Sequence, residues 1–242
     1  MNGVFYVVGI GPGDPELLTL KAARILAACP VLVVPKGHEH GASTALAIVK
    51  GALPLAGKEI IEVHFPMRKI RMNAGPDPEV EAAWRRAALA ILDRTRQGLD
   101  VAFPTLGDPA IYSTGFYTCQ TLLELAPENQ AVVVPGVSAI GACAAAAGIP
   151  LCQGDDMLAV VPATFDNQRL TEVFASFQTV VLMKVHRVMG RIVELLTGLN
   201  LLSRAVLVER SDQGGRERVV RDLAALGPGE LHYFSTIIVR TR

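Results

Sequence analysis

The residues of this sequence best placed to do chemistry lie in two Gly-Asp-Pro turns. The first, Gly13-Asp14-Pro15, closes Val8-Gly9-Ile10-Gly11-Pro12-Gly13-Asp14-Pro15. The second, Gly107-Asp108-Pro109, opens Gly107-Asp108-Pro109-Ala110-Ile111-Tyr112-Ser113-Thr114. Each follows an apolar run and precedes a helical pattern. Such loops lie at the carboxyl ends of strands, where open α/β sheets bind ligands. Pro135-Gly136-Val137-Ser138-Ala139 is a third small-residue turn of the same kind.

The spacing restricts the ligand. Gly9-x-Gly11-x-Gly13 resembles a dinucleotide fingerprint, but Asp14 stands where the third glycine belongs, and an acid there repels a pyrophosphate. The second apolar run ends Val34-Pro35-Lys36, without the acid that would hold a ribose. No Gly-Lys-Ser/Thr follows, which excludes a P-loop. The turns therefore suit a ligand with a nucleoside and little phosphate. S-adenosylmethionine is one, and glycine and proline let backbone amides and carbonyls approach it closely.

The elements that must position these turns follow from periodicity. Phe5–Ile10, Val31–Pro35, Glu59–Phe65, Asp100–Thr105 and Gln130–Pro135 read as buried parallel strands. Asp14 and Pro15 read as the start of a helix carrying Leu17, Leu20, Ile25 and Ala28 inward. Thr44–Leu53, Glu79–Arg96, Ala110–Leu125 and Ala139–Ala147 read as further helices. This predicts a doubly wound α/β domain over residues 1–150. The rest, 151–242, has five strand candidates and two clear helices, Asn167–Phe177 and Val188–Leu199. That pattern predicts a second α/β domain with a mixed sheet, with a boundary near Pro150–Gly154 and a cleft between the domains as the place for the ligand.

Bulk properties narrow the class. Hydrophobic residues make up 50% and charged residues 19%, enough to build two cores. Mean hydropathy is positive, yet no apolar run approaches the roughly 18 residues of a membrane span. The N-terminal apolar run ends in a Gly-Pro loop and reads as a strand, not a leader. A net charge of +0 argues against nucleic-acid binding by bulk charge. Cys29, Cys119, Cys143 and Cys152 show no metal-ligand spacing, and they read as reduced thiols of a cytoplasmic protein. His38 and His40 form the only close histidine pair, in a polar loop without a carboxylate cluster, so no metal site is expected.

The chain resembles the tetrapyrrole methylases, class III methyltransferases of two α/β domains. The resemblance rests on Tyr6-Val7-Val8-Gly9-Ile10-Gly11-Pro12-Gly13-Asp14-Pro15-Glu16-Leu17-Leu18-Thr19-Leu20-Lys21-Ala22, on Leu106-Gly107-Asp108-Pro109, on Val134-Pro135-Gly136-Val137-Ser138-Ala139 and on Gly148-Ile149-Pro150-Leu151. It covers almost the whole chain in order. It implies a homodimer with its active site in the interdomain cleft. It also implies methyl transfer from S-adenosylmethionine to a carbon of a tetrapyrrole on the route to cobalamin. The Tyr112-Ser113-Thr114 extension, Val33-Val34-Pro35-Lys36-Gly37 and Tyr233-Phe234-Ser235-Thr236 are similar to the branch that methylates C20 of precorrin-2 or of its cobalt-loaded counterpart.

Carried over by position, the resemblance implies that Pro12 lines the donor pocket. Leu106, Gly107 and Asp108 hold the donor's amino-acid part, with Ile111 as a backbone contact. Ser138 and Ala139 approach the ribose and methionine. Met183 and Thr236 lie on the adenine side; Ser211, a donor contact, stands where relatives often carry glycine. Asp108 and Tyr112 are the candidate bases for the proton of the methylated carbon. Lys36, Arg68, Arg71, Lys184 and Arg210 are candidates for the acceptor's carboxylates. Methylation of another ring position, or of RNA or a protein histidine, and a noncatalytic adenosine sensor are the alternatives.

Overall fold

A computed structural model describes residues 2–66, 75, 77–226 and 231–242. Its contacts divide the chain into Met1–Ser138 and Ala139–Arg242.

The first unit is built on a parallel sheet of β1 (Phe5–Gly9), β2 (Val31–Lys36), β3 (Glu59–His64), β4 (Val101–Thr105) and β5 (Ala131–Val134), in the order β3-β2-β4-β1-β5. Alternate residues of the buried strands serve two cores, as a sheet covered on both faces requires. Phe5, Val7, Val33 and Phe103 pack with Trp84, Ile91 and Leu122 of α3 (Pro78–Arg96) and α4 (Thr114–Leu125). Val8, Ile10, Leu32 and Val34 pack with Leu26, Leu46 and Val49 of α1 (Leu20–Ala28) and α2 (Thr44–Ala52). The strand order brings β4, β1 and β5 side by side, so the loops that follow them are neighbours. Pro104 is tolerated in a central strand because the β2–β4 ladder ends at Ala102.

Two helix starts differ from the pattern-based expectation. Asp14 caps only a 3-10 turn over Pro15–Leu17, accepting the Glu16 amide at 2.8 Å. The chain is then extended at Leu18, and Thr19 caps α1. Leu20 is therefore 92% exposed, and Ala22 and Leu26 take the inward places. Likewise Asp108 begins a turn, not a helix. Ser113 caps α4, its hydroxyl accepting the Gly115 amide at 3.0 Å. In both cases a second hydroxyl cap a few residues on wins over the first Asp-Pro.

The second unit holds β6 (Leu158–Pro162), β7 (Thr179–Met183), β8 (Ala205–Glu209), β9 (Arg218–Val220) and β10 (Ser235–Arg240), in the order β6-β7-β10-β8-β9. Only β6 and β7 are parallel; the remaining pairs are antiparallel. Helices α6 (Asn167–Ser176) and α7 (Met189–Gly198) supply Leu170, Phe174, Ile192 and Leu196 to its core. α5 (Ala139–Ala147) packs on β8 and β10 and so belongs to this unit. The sequence had grouped it with the strands before it.

Candidate active site

Three loops of the first unit meet backbone to backbone. Gly107 donates to the Gly11 carbonyl at 2.8 Å, and the two glycines form an isolated antiparallel bridge. Both take the left-handed conformation, with φ of 76° and 68°, which side chains resist. Gly9 and Gly136 touch more closely still. A Cβ on Gly136 would lie 2.5 Å from the Gly107 carbonyl oxygen and 2.8 Å from the Gly9 Cα. The loops after β1, β4 and β5 thus form one surface of amides and carbonyls.

Asp108 fastens this surface. One carboxylate oxygen accepts the Ala110 amide at 2.8 Å, and the other accepts the Gly136 amide at 2.9 Å. It therefore ties the second loop to the third. Asp14 has a lesser task, capping its own turn. Beside Asp108, Thr105 at the end of β4 shares a buried 2.9 Å hydrogen bond with Ser113. Tyr112 lies between them in chain order, with φ of 52° and 46% exposure. Positive φ in a bulky non-glycine residue stores strain, and such strain gathers at functional sites. Burial, and then the neighbouring Tyr117, raise the Tyr112 phenol above its ordinary value. It is protonated at neutral pH and serves as a hydrogen-bond donor more readily than as a base.

These loops carry every first-unit residue expected at the donor, Pro12, Leu106, Gly107, Asp108, Ile111 and Ser138, and also the candidate base Tyr112. The second unit brings together the remainder. Met183, the last residue of β7, pairs directly with Thr236 on β10. Thr236 also pairs with Val208 of β8, two residues before Arg210 and three before Ser211. The Cys143 thiol on α5 is within hydrogen-bonding reach of the Thr236 and Ser211 side chains. Ala139 is one turn earlier on the same helix face. The sequence marks Cys143 only as a reduced thiol, because an alanine-rich helix gives no sign of which residue faces a hydroxyl pair.

The basic candidates fare differently. Lys36 ends β2 and pairs with Glu62 at 3.3 Å. Lys184 and Arg210 follow β7 and β8 with φ of 61° and 50°. Arg68 and Arg71 lie outside the described residues. Glu209, buried at the end of β8, was not expected. It meets the Arg218 guanidinium at 2.5 and 2.6 Å, and accepts the His232 amide at 2.8 Å and the Ser235 hydroxyl at 3.2 Å. An acid ending an apolar run, Ala205–Glu209, was the available signal.

Burial sets the thiol reactivity. The Cys29 thiol is pushed up to about 12 and Cys143 to about 11, both chiefly by desolvation, and Cys119 is raised for the same reason. Their thiolate forms are scarce at pH 8, whereas Cys152 is exposed. Iodoacetamide at pH 8 is therefore expected to label Cys152 first, leaving the other three protected until the protein unfolds. Peptide mapping after partial labelling checks this; early modification of Cys143 would contradict its burial.

A doubly wound sheet with glycine loops at its strand ends, followed by a unit with a mixed sheet, defines a two-unit α/β protein whose strand-end loops suit a small ligand. Residues 4–226 match the family described as Tetrapyrrole (Corrin/Porphyrin) Methylases, and the chain belongs to that family. It is 35% identical over 240 residues to the cobalt-precorrin-2 C(20)-methyltransferase of Salmonella typhimurium, covering 99% of this chain and 97% of the relative. It is 32% identical over 237 residues to a precorrin-2 C(20)-methyltransferase of Sinorhizobium sp, covering 96% and 93%. The solved uroporphyrin-III C-methyl transferase of Thermus thermophilus, complexed with S-adenyl homocysteine, superposes with a TM-score of 0.67 at 26% identity, covering 98% of this chain and 92% of that one.

Proposed function

We propose that this protein is an S-adenosylmethionine-dependent methyltransferase acting at C20 of precorrin-2 in cobalamin biosynthesis. The observation that carries this reading is its near end-to-end similarity to two C20-methyltransferases. The same methylation of the cobalt-loaded acceptor is the second reading, favoured by the Salmonella relative. Cobalt is then part of the substrate.

The residues present fit the donor. Gly9, Gly107 and Gly136 pack backbone on backbone, which lets the three loops approach an amino-acid group and a ribose closely. Pro12 lines the pocket. Leu106, Gly107 and Asp108 hold the amino-acid end, with Ile111 as a backbone contact. Ser138 and Ala139 approach the ribose and methionine. Met183 and Thr236 form the adenine side, and Ser211 is a further donor contact. When bound, the sulfonium supplies an already activated methyl group. The chain's task is alignment of acceptor carbon, methyl and sulfur, and positioning alone can contribute roughly 7–11 kcal/mol. Asp108 and Tyr112 are the two candidates to handle the proton released at the methylated carbon. Lys36, Lys184 and Arg210, with Arg68 and Arg71, meet the acceptor's carboxylates. The protein acts as a homodimer in the cytoplasm. Among the described residues no helix is long and apolar enough to cross a membrane.

Incubation with methyl-labelled donor and either metal-free or cobalt-loaded precorrin-2 tests this. Label at C20 of one acceptor is the expected result. Label at another carbon would overturn the C20 assignment, and donor binding without transfer would favour an adenosine sensor.

A further inference from the structure

The β7–β10 ladder does not end its influence at Met183 and Thr236. Continuing that antiparallel register three residues outward sets His186 opposite Tyr233. Their rings meet edge to face, with centroids 5.2 Å apart. Phe234 packs against Tyr233 with ring centroids 5.3 Å apart. His186 thus stands at the same end of the second sheet as the residues assigned to adenine. It follows Lys184, whose φ is positive, and precedes Arg187.

One atom defines what this imidazole can do. Nδ1 of His186 is buried without a hydrogen-bond partner, although the ring as a whole is half-buried. A proton on Nδ1 would leave a buried N–H unpaired, and a charged ring would cost still more. The proton therefore belongs on Nε2, and the ring stays neutral. Burial and the adjacent Arg187 act in the same direction, lowering its basicity. His186 is a neutral donor through Nε2–H. It is a poor base, because the nitrogen that would receive a proton is the buried one.

We infer that His186, seated on Tyr233 and followed by Arg187, is an acceptor-binding subsite that donates Nε2–H to a carboxylate of the tetrapyrrole. It rests on the proposed function and gives one residue of the strand-end set after β7 a defined donor atom.

The test uses the full-length protein and uroporphyrin III, an anionic tetrapyrrole, as probe, with affinity read by quenching of its fluorescence. Glutamine places an amide N–H near the position of Nε2, and asparagine near that of Nδ1. His186→Gln is expected to stay within about threefold of wild type. His186→Asn and His186→Leu are expected to weaken binding about tenfold or more, the loss of one hydrogen bond to a charged group. Affinity for S-adenosylhomocysteine, measured by calorimetry on the same samples, should not change in any of the three. Equal affinity in all three variants, or equal losses in Gln and Asn, would overturn the inference. So would a parallel loss of S-adenosylhomocysteine binding, which would mark His186 as structural. Wild-type protein that binds no tetrapyrrole would instead overturn the proposed function on which the inference rests.

Discussion

Gly136→Ala is expected to abolish donor binding and to lower the melting temperature. A methyl group there would have to fit 2.5 Å from the Gly107 carbonyl oxygen and 2.7 Å from the Gly9 carbonyl carbon. All of these neighbours are backbone, so no side chain can rotate away. The loops after β1, β4 and β5 would have to part. Overpacking typically costs about 1–3 kcal/mol, and rigid neighbours put this site at the upper end. Displacing the site by about 1 Å would cost about a hundredfold in turnover. Gly57→Ala is the control. Gly57 has φ of 78° but open space around its Cβ position. It should lose only about 1–2 kcal/mol of stability through its left-handed backbone and bind donor normally. Calorimetry with S-adenosylhomocysteine decides. A Gly136→Ala protein that binds like wild type would show that the three-loop contact does not shape the donor site.

Asp108→Ala should weaken S-adenosylhomocysteine binding about thirtyfold, against a change within about threefold for Asp14→Ala. The two aspartates look alike in sequence, but Asp108 holds amides of two different loops, and Asp14 holds one amide of its own turn. Removing Asp108 orphans the Gly136 amide where three backbones converge, so the loss falls on the site itself. Removing Asp14 removes one cap, about 1 kcal/mol of stability. Equal, small effects on binding would mean that both aspartates serve only as caps.

Much of the fold was legible because buried parallel strands are written as short apolar runs. The five strands of the first unit lie where those runs predicted, with ends displaced by one residue at most. The helix starts were less legible. Asp14-Pro15 and Asp108-Pro109 are good caps by composition, yet Thr19 and Ser113 cap the helices. Local chemistry cannot rank two plausible caps a few residues apart. The position of α5 was also hidden, since its alanines suit either sheet and only packing on β8 and β10 assigns it.

The site residues divide along the same line. The sequence by itself determined the family and the three loops of small residues, because turn chemistry is local and leaves its mark in Gly, Asp and Pro. It could not determine that these loops touch, since that follows from the order β4-β1-β5, a pairing between segments about a hundred residues apart. Nor could it find the Met183–Thr236 pair, the thiol behind Ser211 and Thr236, or the orphaned nitrogen of His186. Each depends on which neighbours surround a side chain. That is decided only when distant strands pair and exclude water.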